Sequence, residues 1–177
     1  RYSFDTYAFL SYRKKDRKYA NELLKLIHSQ PECRTIAIWF DEFLVPGESF
    51  EDNIKQMLSR SKLFLLVVTP HIFEKIIDEN GVVQDNYVVR YELPAALKNK
   101  EEKGIDILAV EMEETDRASL LKIHIEDCIY QYNKDNFRGS FVSRMSKIVK
   151  NCEGTNVERI YLMGIAYLKG VGVERNY

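Results

Sequence analysis

The stretch Tyr7-Ala8-Phe9-Leu10-Ser11-Tyr12-Arg13 decides how this chain folds. An unbroken apolar run stops at a serine and a tyrosine and gives way to the bases Arg13, Lys14, Lys15, Arg17 and Lys18. A strand with one wet face alternates apolar with polar residues. A continuous run reads instead as a central strand of a parallel sheet, covered on both faces. In such sheets ligands gather beyond the carboxyl ends of the strands. Function is therefore expected where this first strand ends, around Ser11, Tyr12 and Arg13.

Working outward, four more short apolar segments rich in β-branched or aromatic residues read as strands: Thr35 to Phe40, Leu63 to Val68, Ile105 to Val110 and Cys128 to Tyr132. Helical periodicity separates them. Tyr19, Ala20, Leu23, Leu24, Leu26 and Ile27 recur at helical spacing between Asp16 and Ser29, with Asp16 at the start and Pro31 just past the end as boundary signals. Phe50 to Leu58 and Ser140 to Val149 give two further helices. Strand-helix alternation with short connections implies an α/β, flavodoxin-like fold. Its five parallel strands are expected in the order 2-1-3-4-5, with helices on both faces.

Composition narrows the function. The 177 residues carry 26 Lys and Arg against 27 Asp and Glu, so no global field favours nucleic acid or an anionic membrane. The longest apolar runs, such as Leu63 to Val68, are too short to span a bilayer. No signal peptide pattern is visible in a sequence that opens at Arg1. Cys33, Cys128 and Cys152 are odd in number and widely spaced, which reads as free thiols in a cytoplasmic protein.

Three motifs in order carry a family resemblance. Asp5-Thr6-Tyr7-Ala8-Phe9-Leu10-Ser11-Tyr12-Arg13 is followed by Ile38-Trp39-Phe40-Asp41-Glu42-Phe43-Leu44-Val45-Pro46-Gly47-Glu48-Ser49-Phe50, then by Ser61-Lys62-Leu63-Phe64-Leu65-Leu66-Val67-Val68-Thr69-Pro70. Together they resemble the first three strands and the long second loop of Toll/interleukin-1 receptor (TIR) domains of bacterial type. The resemblance covers residues 1–151. It implies the TIR fold and, in the enzymes of the family, cleavage of NAD+ at the nicotinamide–ribose bond, with NAD+ as substrate and neither cofactor nor metal.

The residues themselves exclude several other chemistries. There is no phosphate-binding Gly-x-x-x-x-Gly-Lys, no Gly-x-Gly-x-x-Gly after a strand and no Gly-x-Ser-x-Gly elbow. His28, His71 and His124 show no metal-ligand spacing and read as surface or capping residues. Where a phospho-receiver would need an Asp, the third strand ends in Thr69-Pro70. The carboxylate of interest is Glu92, within Asn86-Tyr87-Val88-Val89-Arg90-Tyr91-Glu92-Leu93-Pro94-Ala95-Ala96-Leu97. By itself it reads as a solvated helix residue. The resemblance implies that it is the catalytic residue on the helix after the third strand. The family's tryptophan one helical turn earlier is replaced by Val88, with Tyr87 and Tyr91 as aromatic neighbours. Proline costs ~3 kcal/mol mid-helix but is tolerated in a first turn. Pro94 therefore means either that the helix restarts near Arg90, placing Glu92 at a positive helix end, or that it is kinked there.

Around Glu92 the resemblance implies a substrate-binding set of Ser11, Tyr12, Arg13, Phe43, Leu44, Thr69 and Tyr87, with Arg13 beside the diphosphate. Lys14, Lys15, Arg17 and Lys18 read as a solvated helix start. Phe43 and Leu44 are accounted for equally by contact with substrate or by loop packing. Phe43, Leu44 and Val45 in a row also suit a loop that packs on a second copy, giving a homo-oligomer through TIR–TIR contacts. Beyond a polar break at Cys152 to Thr155, residues 152–177 resemble a linker and the first half of a Sel-like helical repeat, with Gly170 and Gly172 at its turn. Such a repeat would continue into a solenoid that senses an unidentified trigger. The whole is expected to act as an NAD+ glycohydrolase effector of prokaryotic immunity such as antiphage defence, releasing ADP-ribose or a cyclic product. The alternative is a non-catalytic adaptor working through TIR–TIR contacts alone.

Overall fold

A computed structural model of the chain describes residues 8–34, 36–40 and 50–151. The expected loop at 41–49 and the expected repeat at 152–177, with its helix from Asn156, lie outside the described residues. Within them a five-stranded parallel sheet carries helices on both faces. The elements run β1 (Ala8–Ser11), α1 (Arg17–Ser29), β2 (Ile38–Trp39), α2 (Phe50–Arg60), β3 (Leu63–Val68), β4 (Lys75–Ile77) and β5 (Val83–Asp85). After a π-helical turn (Val88–Glu92) come α3 (Leu93–Lys103), β6 (Asp106–Glu111), α4 (Arg117–Lys122), β7 (Ile129–Gln131) and α5 (Phe137–Asn151).

The sheet order is β2-β1-β3-β6-β7. Written along the chain this differs from the expected 2-1-3-4-5, because an antiparallel hairpin, β4–β5, intervenes between the third and fourth strands of the sheet. Its signal was present in the sequence: Asn80-Gly81 between the apolar pairs Ile76-Ile77 and Val82-Val83 is a strong hairpin mark. Asp78 closes the loop by accepting from the N–H groups of Asn80 and Val82, both at 2.9 Å, and Gly81 sits at φ +77°. The β3 bounds match the expected ones, and β6 starts one residue later than Ile105. The second strand is shorter than expected, and α5 begins three residues before Ser140.

Side chains on a strand alternate between faces, and here that alternation builds two cores. Ala8, Leu10, Leu63, Leu65, Val67, Leu108 and Val110 pack under α1 and α5. Phe9, Phe64, Leu66, Val68, Ile107 and Ala109 pack under α2, α3 and α4. Each fully buried Leu or Phe of β3 contributes roughly 1.5–3 kcal/mol. A strand loaded on both faces cannot slip by one residue without exchanging its two cores, so the register of β1, β3 and β6 is tightly specified.

The carboxyl ends of β1 and β3 are tied together next. After β1, a short 3-10 turn (Lys14–Asp16) leads into α1. Asp16 stands at the expected helix boundary, yet its side chain caps nothing. It is 1% exposed and turned toward the turn after β3. Gly104, at φ +68°, ends α3 in the left-handed conformation that glycine tolerates, its N–H donating to the Lys100 carbonyl at 3.0 Å.

Candidate functional site

The site begins with the last residue of β1. Ala8 and Leu10 enter the α1/α5 core and Phe9 the opposite one. The same two-residue period aims Ser11 at the side that holds the π-turn. There the Ser11 hydroxyl donates to Glu92 Oε2, a contact between residues 81 positions apart. Ser11 is 1% exposed and Glu92 7%. Glu92 is therefore not the solvated helix residue that its local sequence suggests.

The backbone carrying Glu92 has its own irregularity. The Leu93 N–H reaches back five residues, to the Val88 carbonyl, so the helix opens by one residue before Pro94. Dihedral angles stay helical on both sides of the turn, and Glu92 itself lies at φ −64°, ψ −49°. The helix is thus neither restarted at Arg90 nor sharply broken. Glu92 sits inside a continuous helical stretch, at its π-to-α junction rather than at a free positive end. The wide turn relieves the clash that Pro94 would have with the carbonyl four residues earlier. Single π-turns of this kind often occur at functional sites.

The neighbours of Glu92 are aromatic. Tyr87 and Tyr91 lie with ring centroids 5.0 Å apart and planes tilted by 31°. Lys55 of α2 stands over the Tyr91 ring at 5.9 Å. Burial foremost, then the charge of Glu51, then Tyr91 and Glu92, push the Tyr87 phenol up to about 12, so it is neutral throughout the physiological range.

A second polar cluster lies at the ends of β1 and β3. The Thr69 hydroxyl donates to Asp16 Oδ2 at 2.6 Å and accepts the His71 N–H at 3.2 Å. His71 Nδ1 stands 2.7 Å from Asp16 Oδ1. At the surface, Lys15 pairs with Glu74 at 2.7 Å and holds that carboxyl below the usual range. Arg13, half-buried and extended (φ −76°, ψ 137°), keeps its Nε buried without a hydrogen-bond partner among the described residues.

Of the expected site residues, the structure joins Ser11 to Glu92 and sets Tyr87 near the same carboxylate. Tyr12 goes elsewhere. It belongs to the α1/α5 core, its ring 6.5 Å from that of Phe40. Thr69 is completely buried, and its hydroxyl is engaged by Asp16 and His71, so it braces the loops. Phe43 and Leu44 lie outside the described residues. Sequence reasoning missed Asp16, His71 and Asn86 as parts of this framework, since the contacts that tie it together, Asp16 to Thr69 and His71 and Asn86 to Ile72, join residues 14 to 55 positions apart. Cys33 and Cys128 are free thiols, both raised in pKa by burial foremost. Among the described residues no helix is long and apolar enough to cross a membrane. Nor do they contain a cluster of three or more His, Cys, Asp or Glu side chains able to hold a metal ion.

A family model described as TIR domain matches residues 8–140, about three quarters of the chain. The chain belongs to the TIR domain family. The TIR domain of the Toll-related receptor TRR-2 from Hydra magnipapillata is similar in fold to this TIR domain, with TM-score 0.58 and 16% identity, over 84% of this chain and 100% of that one. The TIR domains of the activated Roq1 resistosome, described as directly recognizing the pathogen effector XopQ, align at TM-score 0.48 and 15% identity, over 92% of this chain and 97% of that one. The RPS4 and RRS1 TIR domain heterodimer aligns at TM-score 0.46 and 9% identity, over 82% of this chain and 96% of that one. No curated protein matches this chain.

Proposed function

We propose that this TIR domain is an NAD+ glycohydrolase with Glu92 as its catalytic carboxylate. The observation that carries the reading is the buried Glu92, set on a π-turn and held by the Ser11 hydroxyl beyond the end of β1. The sequence resemblance gives it the place in the chain of the catalytic glutamate of TIR enzymes. The chemistry suits one carboxylate. In NAD+ the leaving pyridinium is cationic and departs as neutral nicotinamide, so no general acid is needed. As the C–N bond breaks, the ribose gains oxocarbenium character, and an ionised carboxylate stabilises that charge. Water then adds to the sugar carbon and loses a proton, giving ADP-ribose, nicotinamide and H+. An internal nucleophile of the substrate in place of water would give a cyclic product.

In this mechanism Ser11 orients the carboxylate, Arg13 meets the diphosphate with its free guanidinium donor, and the Tyr87–Tyr91 pair offers a stacking surface for a base. Exclusion of water strengthens each of these electrostatic contacts. Association with a second copy through the loop at 41–49 would complete the site. A Sel-like repeat after residue 151 would carry the trigger, as in an immune effector of bacterial type. The adaptor reading draws on Val88, which stands where family enzymes often have tryptophan. The deciding experiment is incubation of the purified chain with NAD+ and chromatographic separation of the products, over a wide range of protein concentration. Release of nicotinamide that vanishes with Glu92→Gln is the expected outcome. Concentration-dependent association with NAD+ left intact would establish the adaptor instead.

A further inference from the structure

Asn86 uses every hydrogen-bonding position of its side chain. Its Oδ1 accepts from the Val88 and Val89 N–H groups at 3.1 and 3.4 Å. Its Nδ2 donates to the Ile72 carbonyl at 2.7 Å and the Glu74 carbonyl at 3.0 Å. The residue is 1% exposed, and its contacts with Ile72 and Val88 are buried away from bulk water. The acceptor half caps the stretch whose backbone continues into the π-turn. The donor half ties that cap to the chain that follows β3. Asn86 also offers its own carbonyl to the Arg90 N–H at 2.9 Å.

These contacts form one link of a closed ring. From Asn86 the π-turn leads to Glu92, which receives the Ser11 hydroxyl at the end of β1. From β1 the 3-10 turn leads to Asp16, which binds Thr69 and His71. The turn Pro70–Phe73 then returns to Ile72 and Asn86. The end of β1 is thereby connected to the Glu92 helix twice, once directly and once through Asp16, the turn after β3 and Asn86. A buried polar network that is fully satisfied has one low-energy geometry.

We propose that Asn86 is a positioning residue for Glu92: it fixes the start and tilt of the π-turn against the end of β3, so that the carboxylate meets Ser11 and the reacting sugar in one orientation. The role rests on the reading of Glu92 as the catalytic carboxylate. Asn86 acts through backbone amides and carbonyls and does not touch substrate. A displacement of about 1 Å at a reacting group costs on the order of a hundredfold in rate. Loosening the tether therefore lowers turnover while leaving substrate affinity nearly unchanged.

The test compares the full chain with Asn86→Ser and Asn86→Asp. Both replacements keep an acceptor for the helix cap and remove the amide donors to Ile72 and Glu74. Steady-state cleavage of NAD+ is measured well below the melting onset of each variant, alongside amide hydrogen exchange without substrate. The Ser variant is expected to lose about tenfold or more in kcat with KM within about twofold. Exchange should quicken at Val88 to Leu93 and stay slow in β3 and β6. In the Asp variant, protonation of the new carboxyl restores a donor, so its rate relative to the parent should rise as pH falls. Parent-like kcat and parent-like exchange in the Ser variant would overturn the positioning role. If the parent itself leaves NAD+ intact, the catalytic reading of Glu92 fails and the positioning of Glu92 toward the sugar falls with it; selective loss of protection at Val88 to Leu93 then shows only that Asn86 anchors the π-turn, and unchanged protection overturns that anchoring as well.

Discussion

Among the described residues two glutamates are buried at the carboxyl side of this sheet, Glu92 at 7% and Glu111 at 4% exposure, and they are held in different ways. Glu111 ends β6, and its carboxylate is enclosed by nearby chain. Oε1 accepts the Thr115 N–H at 2.9 Å; Oε2 accepts Arg117 at 3.0 Å and Gln131 of β7 at 3.4 Å. The Arg117 guanidinium offsets its charge, and the Thr115 and Gln131 amides satisfy further lone pairs, the latter across the β6–β7 pair. Glu92 takes the hydroxyl of Ser11, 81 residues away, and stands on a helical turn with irregular register. Burial alone therefore does not separate the two carboxylates. They differ in where their described contacts come from: Glu111 is bound by groups at the β6–β7 side of the sheet, whereas Glu92 receives a hydroxyl from the end of β1, where α/β sheets bind ligands.

Exchanging each charge for its neutral amide is the strongest way to break that contrast. Glu92→Gln should lower NAD+ turnover on the order of a hundredfold or more, with an unchanged circular dichroism spectrum. Glu111→Gln should do the reverse, keeping turnover within about twofold while destabilising the domain. Arg117 is 55% exposed, so solvent screens most of the pair, and the expected loss is about 1–2 kcal/mol. Thermal melting reads this as a fall of about 2–4 °C per kcal/mol in a domain of this size. Equal effects on turnover from both substitutions would erase the distinction.

Ser11→Ala sharpens the comparison at the level of one hydrogen bond. The carboxylate keeps its charge and loses the hydroxyl that orients it, so turnover should fall about tenfold, corresponding to about 1.4 kcal/mol. The melting temperature should shift by no more than a few degrees. A loss as large as that of Glu92→Gln would mean that Ser11 takes part in the chemistry itself.

The smallest expected effect concerns His28, a titratable group of the α1 side that lies remote in sequence from both glutamates. Desolvation foremost lowers its pKa below 6.5, against the hydrogen bond between Nε2 and the Ile36 carbonyl at 3.2 Å. The unfolded chain therefore takes up a proton before the folded chain does as acidity rises. This contribution to stability is complete above the unfolded value and is lost as pH falls through and below it. Melting temperatures of the parent and His28→Gln, compared between pH 8 and pH 5, should diverge only on the acid side, with the variant losing less. Parallel curves would show that His28 is not the group responsible.

Glu92 was legible in the sequence only through its place after the third strand. Its burial was not, because Val88, Arg90 and Tyr91 around it give no clean apolar stripe that would tell an inward position from an outward one. Pro94 did announce an irregular helix, but a restart and a wide turn satisfy proline equally well until the packing against β1 and α2 is known. Asp16 was read correctly as a boundary and for the wrong reason, since its carboxylate turns away from the helix toward Thr69 and His71.

The sequence by itself determined the layered α/β architecture. Short doubly apolar strands such as Leu63 to Val68 can be stable only when covered on both faces, and a two-residue period assigns each side chain to one of the two cores. It also carried the motifs of the TIR family and pointed to the strand ends as the place for a ligand. Only the tertiary structure decided which polar groups meet there. Ser11 and Glu92, Asp16 and Thr69, and Asn86 and Ile72 are joined by hydrogen bonds whose partners share no local periodicity. Hydrophobic burial is nearly non-directional and leaves its trace along the chain as a repeat, whereas a hydrogen bond depends on a distance and an angle that exist only once the chain has closed.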